Sequence, residues 1–84
     1  MIVHVRLFAR ARDLAGADVV RVELPDESTI ADLRRRLAVN YPRLASLLER
    51  SALAVENEFA TDSLSLSADA EVALLPPVSG GDLP

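Results

Sequence analysis

The chain contains no cysteine, no tryptophan and no lysine, with one histidine and one tyrosine. Without cysteine there is no disulfide, no thiolate metal site and no cysteine nucleophile, and nothing argues for an oxidising compartment. No apolar run approaches the ~20 residues of a membrane span. His4 and Arg6 interrupt the apolar N-terminus, so it does not read as a signal peptide. Cytoplasmic residence is therefore the expectation, with no membrane partner. Nucleic acid is a poor fit as well. The formal net charge is −4 and the aromatic content is 4%, whereas a nucleic-acid surface wants a basic patch. The sequence has no internal repeat and no low-complexity segment.

What is present is a half-apolar chain of 84 residues, enough for one domain. A chain of this size buries roughly 60% of its unfolded surface, so one core suffices without covalent staples. Met1 to Ala9 alternates, with Val3, Val5 and Leu7 on one face and Ile2, His4, Arg6 and Phe8 on the other. That period predicts a half-buried strand with the aliphatic face inward. Phe8 is left on the polar side. Arg10 to Ala15 holds good helix formers, and Gly16 is placed as a C-terminal stop, so one or two helical turns are expected. Val19 to Leu24 alternates again and should pair antiparallel with the first strand. Pro25-Asp26-Glu27 ends it.

Ser28-Thr29 opens the main predicted helix. Thr29 followed by Asp32 has the spacing of a capping box, with Asp in place of Glu. Ile30, Leu33, Leu37 and Tyr41 form one apolar stripe. Arg34, Arg35 and Arg36 fall largely on the other side and read as a solvated face, or as a contact for an anionic partner. Pro42 stops the helix. Leu44, Leu47 and Leu48 suggest a short second helix over Arg43 to Arg50. Ala52 to Phe59 reads as one strand. Ala60 to Ala70 reads as an irregular connection, with a turn at Thr61-Asp62-Ser63 and anchors at Leu64 and Leu66. Glu71 to Leu75 is the last predicted strand.

The order is β, short α, β, long α, short α, β, β, which predicts an α+β layer with one main helix packed on a mixed sheet. Placing the last strand beside the first buries both centrally. Phe8 and Leu75 then lie outward, near the same end of neighbouring strands. Two such side chains together suggest an interaction surface. His4 reads as a surface strand residue, since nothing near it in sequence would orient a catalyst.

After the last strand, Pro76 and Pro77 end pairing because proline has no N–H to donate. Val78 and Ser79 follow, then Gly80 and Gly81, which are two of the chain's three glycines. Diglycine has no Cβ and tolerates φ > 0, so it can thread a slot that admits bare backbone. The residues alone leave two readings open: a tail that another protein handles, or an ordinary frayed terminus. The expected division is a domain over 1–77 and a flexible tail over 78–84.

Four stretches together resemble a known family. Leu7-Phe8-Ala9-Arg10-Ala11-Arg12-Asp13-Leu14-Ala15-Gly16 is similar to the opening of the sulfur-carrying small subunits of molybdopterin synthase, in the ubiquitin-related MoaD/ThiS-like family. Thr29-Ile30-Ala31-Asp32-Leu33 through Tyr41-Pro42 resembles their main helix. Ala54-Val55-Glu56-Asn57-Glu58 resembles their third strand, with the usual Asn displaced by one position. Glu71 to Gly81 resembles their ending almost residue for residue. The resemblance implies a β-grasp, ubiquitin-like fold.

The resemblance also implies a chemistry. The carboxylate of Gly81 would be adenylated by an E1-like enzyme using ATP, and sulfur would replace the adenylate to give a thiocarboxylate. The large catalytic subunit would take up the tail, and the sulfur would go to precursor Z. Gly80 and Ser79 would belong to the tail, and Phe8, Leu75, Pro76 and Pro77 to the partner-binding surface. The carrier itself would bind no cofactor and no metal and would be non-catalytic alone. Two departures stand out. Ala68-Asp69-Ala70 replaces the family's Asp-Gly-Asp, and Asp82-Leu83-Pro84 follows the diglycine where family members usually end. A carrier would therefore need a protease to remove those three residues. The alternatives are a sulfur carrier for thiamine or tungsten-cofactor synthesis, or a binding-only β-grasp domain whose tail is never activated.

Overall fold

A computed structural model of the chain describes residues 1–76. The tail residues Pro77, Ser79, Gly80 and Gly81, the extension Asp82-Leu83-Pro84 and the 77/78 boundary all lie outside the described residues.

The alternating N-terminal residues form β1 (Ile2–Arg6), and the second alternating run forms β2 (Val19–Glu23). They pair antiparallel with Val3 opposite Val22 and Val5 opposite Val20, so one face of the hairpin is wholly aliphatic. Between them lies α1 (Ala9–Ala15), closed by Gly16 at φ +76°. The Gly16 N–H donates to the Arg12 carbonyl at 2.8 Å, the left-handed stop that glycine makes cheaply.

The main helix α2 (Ile30–Asn40) begins with the predicted capping box. The Asp32 N–H donates to Thr29 Oγ1 at 3.3 Å, and the Thr29 N–H donates to Asp32 Oδ2 at 2.9 Å. Two further amides of the first turn are satisfied from the connection before the last strand. Ile30 donates to the Leu64 carbonyl and Ala31 to the Asp62 carbonyl, each at 3.0 Å. Ile30, Leu33 and Leu37 are buried. Tyr41 leaves the helical region before Pro42, with φ −131° and ψ 77°, since the residue before proline disfavours the α conformation. The chain then makes a 3₁₀ turn (Pro42–Leu44) and the short α3 (Ala45–Leu48), so the expected helix over Arg43 to Arg50 is shorter and divided.

The run from Ala52 to Phe59 is not one strand. It is a hairpin of β3 (Ala52–Val55) and β4 (Glu58–Phe59), with Val55 opposite Glu58. Glu56 and Asn57 have φ +50° and +70°, the two positive values of a type I′ turn. The last strand is β5 (Glu71–Leu75). It is entered through a turn in which Asp69 has φ +63°. Asp69 stands where the family's Asp-Gly-Asp has glycine, and Asp is among the few side chains that tolerate that region. The turn therefore survives the departure from the family pattern.

The sheet order is β2-β1-β5-β3-β4. β1 and β5 are parallel and central, and the other pairs are antiparallel. This is the expected mixed-sheet, ubiquitin-like β-grasp. One core unites Val3, Val5 and Leu7 with Val72 and Leu74, Leu53, and the helix residues Leu33, Leu37 and Leu48. Leu66 is buried as an anchor, but Leu64 is 42% exposed.

The three arginines of α2 do not behave alike. Arg35 and Arg36 are exposed. Arg34 leaves the expected solvated face and reaches across to α3. Its Nη1 donates to the Leu48 carbonyl at 2.6 Å and to the Ser51 carbonyl at 2.8 Å, and its Nη2 meets Asp62 Oδ1 at 3.3 Å. Arg34 thus closes the open carbonyl end of α3.

Candidate functional site

The helices leave one face of the sheet uncovered. Residues that pair across strands point to the same side, so the registers say which residues share that face. Arg6 pairs with Val19 on one side and Ala73 on the other. Ala73 pairs with Ala54, and Ala54 with Phe59. These five residues make one row across the whole sheet. The β1–β5 register, carried two residues past Arg6 and Ala73, sets Phe8 level with Leu75, and Leu75 pairs with Ala52. A second, shorter row therefore runs beside the first at the end where the chain leaves β5.

Phe8 is 39% exposed and Leu75 half-buried. Leu75 shares its side of β5 with Ala73, and Phe8 is the N-cap of α1, beyond the last pair of the β1–β5 register. They do not line one cavity. A depression of ≈ 450 Å³ takes in Phe8, Arg6, Val19 and Ala73 but not Leu75. Pro76 is exposed just beyond β5. Phe59, at 79% exposure the most open large apolar side chain among the described residues, stands at the far end of the long row. The sequence reading missed it, because an unbroken strand to Phe59 gives no reason for that residue to fold back beside Ala54. The signal that could have found it is Asn57, a residue that readily takes positive φ, followed by a lone Phe in a polar stretch.

The rim of the face is charged. His4 lies between Arg21 and Glu71 in register. Arg6, Glu56 and Glu71 border the depression. An apolar centre with a polar rim is the usual build of a protein-binding surface. Among the described residues, no group of three or more His, Asp or Glu side chains could hold a metal ion, and no helix is long and apolar enough to cross a membrane. Asp32, in the capping box of α2, has its carboxyl held below the ordinary value by the Thr29 backbone N–H and then by the Arg35 guanidinium. It serves the helix and is not on this face. The arrangement therefore has the parts of a docking surface with a chain exit at one corner.

A family model described as "ThiS family" matches residues 5–81. A molybdopterin synthase sulfur carrier subunit of Dictyostelium discoideum is 41% identical over 78 residues, covering 89% of this chain and 91% of that one. Among solved structures, the small archaeal modifier protein 1 of Haloferax volcanii is similar at a TM-score of 0.84 and 28% identity, covering 96% of this chain and 100% of that one. A complex of subunits 1 and 2 of the molybdopterin-converting factor of Helicobacter pylori contains a chain with the same fold. That chain has a TM-score of 0.69 and 23% identity, over 96% of this chain and 100% of that one.

Proposed function

The chain belongs to the ThiS family, and from that premise we propose that it works as the sulfur carrier subunit of molybdopterin synthase. The observation that carries this reading is the 41% identity to a carrier subunit over nearly the whole of both chains. The match to the family model runs through the diglycine to residue 81.

The tail's composition supports the chemistry. A carboxylate is a poor electrophile, and adenylation supplies a leaving group. The Gly81 carboxylate attacks the α-phosphate of ATP, and pyrophosphate leaves. Sulfide, HS⁻, then attacks the acyl carbon, the bond to the AMP oxygen breaks, AMP leaves, and Gly81 becomes a thiocarboxylate. Its sulfur passes to precursor Z on the way to molybdopterin. The E1-like partner supplies ATP chemistry and the larger subunit supplies the catalytic groups. This chain's share is to dock and to present the tail. The uncovered sheet face with Phe8, Leu75 and Phe59 is the surface for the larger subunit, and Pro76 marks where the tail departs. The setting is cytoplasmic.

Gly81 is followed by Asp82-Leu83-Pro84, so its carbonyl is an amide. A protease must release it first. The experiment compares two chains, one ending at Gly81 and one at Pro84, with the purified adenylating enzyme and ATP. The shorter one forms the acyl-adenylate and then the thiocarboxylate, seen by mass spectrometry. Activation of the longer chain without loss of three residues would refute this account. A second reading, a protein modifier, is favoured by the likeness to the small archaeal modifier protein. It shares the acyl-adenylate and differs in the acceptor. Covalent adducts on other proteins in place of sulfur transfer to precursor Z would favour it.

A further inference from the structure

A depression of ≈ 420 Å³ opens beside Pro76, at the root of the tail. Arg10 of α1, Arg43 of the 3₁₀ turn and Arg50 after α3 line it, over the buried Leu47. No acidic residue lines it. Among the described residues these three arginines form no ion pair, nor do Arg6, Arg21 and Arg36, but only these three share one opening. In a chain of net charge −4, three unneutralised guanidinium groups around one opening run against the overall field. Like charges so gathered repel one another, and the gathering is relieved when an anion arrives from outside.

We propose that this surface docks an acidic segment, bearing Asp or Glu, of the larger subunit that takes up the tail. The proposal rests on the functional reading above and deepens it. Gly80 is four residues past Pro76, so a protein that receives the diglycine works within about 14 Å of Pro76, in reach of both the arginine surface and the sheet face. All three arginines are exposed, so they form an open shelf for side chains of another protein and no closed cage for a small ion. Planar guanidinium forks match carboxylates bidentately. Exposed pairs of this kind contribute little to equilibrium affinity and act mainly on the association rate.

The test is a stopped-flow association measurement with the purified larger subunit and the chain ending at Gly81. The Arg43→Glu/Arg50→Glu variant associates about tenfold more slowly than the parent at ~0.05 M salt. The gap closes to within about twofold at ~1 M salt, where the screening length is near 3 Å. Arg43→Lys/Arg50→Lys keeps the charge and stays within about twofold of the parent. Arg36→Glu, on α2 and away from the tail root, also stays within about twofold, since distant exposed charges are screened. Unchanged thermal midpoints confirm that the variants fold. An unchanged or faster rate for the Glu variant would overturn the proposal, as would equal slowing by Arg36→Glu. A parent chain that does not bind at all overturns the functional reading and this surface with it. A bound parent beside an unslowed Glu variant overturns this surface alone.

Discussion

Replacing Arg34 tests how α2, α3 and the connection before β5 are held together. Arg34 gives two short hydrogen bonds to the Leu48 and Ser51 carbonyls and a third contact to Asp62. Its side chain is 24% exposed. A hydrogen bond from a charged donor contributes about 1.5–3 kcal/mol, and a buried acceptor left unmade loses a similar amount. The gain is offset in part by Arg34 Nε, which is buried without a partner, and by screening at the exposed end of the guanidinium. The net loss for Arg34→Met, which keeps the aliphatic stem, is then about 2–4 kcal/mol. A domain of this length has a total stability of roughly 4–13 kcal/mol, so the variant loses a large share of it. At about 5 °C per kcal/mol the midpoint falls by roughly 10–20 °C. Arg34→Lys keeps the charge but lacks the fork, and recovers less than half of the loss. Arg36→Met, on the same helix and exposed, stays within about 0.5 kcal/mol of the parent. Urea titration with a common m-value reads all three. Equal stabilities for the Arg34 and Arg36 variants would show that the α3 cap contributes nothing.

Three further outcomes follow from other parts of the molecule. Phe8→Ala and Phe59→Ala each weaken binding to the larger subunit by about 2 kcal/mol, roughly 30-fold in Kd, with little change in fold stability; calorimetric titration giving parental affinity for both would remove the sheet face as the docking surface. The Asp32 carboxyl titrates below its ordinary value of 3.8 when folded, so its contribution is full above that value and is lost as pH falls through the lower, folded one. Asp32→Asn therefore flattens the acid limb of the stability curve below about pH 4 and leaves its shape near neutral unchanged; an acid limb identical to the parent's would contradict this. Gly16→Ala meets no atom within 4 Å, so its cost is backbone alone, about 1–2 kcal/mol, and Gly16→Asn costs less; a denaturant midpoint unchanged by the alanine would mean that the left-handed cap is not required.

The legible parts of this fold are those where one local rule decides. Alternation placed β1, β2 and β5 because their buried faces are unmixed Val and Leu, and a one-residue slip would expose all of them. Thr29, Asp32 and Gly16 marked helix ends because capping is written within four residues. The β3–β4 hairpin was not legible. Its turn is Glu56-Asn57, without the glycine that usually announces positive φ at both positions, and the alternation runs unbroken across it. Phe59 was lost with it. Arg34 was not legible either. Periodicity puts three consecutive arginines near one side of α2, but which of them reaches α3 depends on how that short helix packs against α2. Alternation and strand order put Phe8 and Leu75 on the outward side, and their part in docking stays with the functional proposal; Ser79, Gly80 and Gly81 lie outside the described residues, and their assignment stays with the sequence and that proposal.

If Gly81 is adenylated as proposed, the absence of lysine has a consequence for the tail. An acyl-adenylate at Gly81 is open to any amine in reach. The nitrogen attacks the acyl carbon, an amide forms, and AMP leaves. Guanidinium stays protonated and does not compete. A lysine, with an ordinary pKa near 10.4, offers a small neutral fraction at about pH 8 that does compete. Gly81 lies five residues past Pro76, a span of at most ~18 Å. Side chains at positions 10, 43 and 50, around Pro76, therefore meet the tail at an effective concentration of order mM. The chain has no lysine and no cysteine anywhere, so no side-chain amine or thiol of its own can intercept the acyl group. Arg43→Lys/Arg50→Lys preserves the charge at the proposed docking surface and introduces an amine. Given the adenylating enzyme and ATP but no sulfur donor, the variant ending at Gly81 closes on itself and loses the mass of one water, with the new amide mapped to position 43 or 50. The parent keeps its full mass. The same loss from the parent, or none from a variant whose adenylation is demonstrated, would show that arginine at the tail root has no protective role.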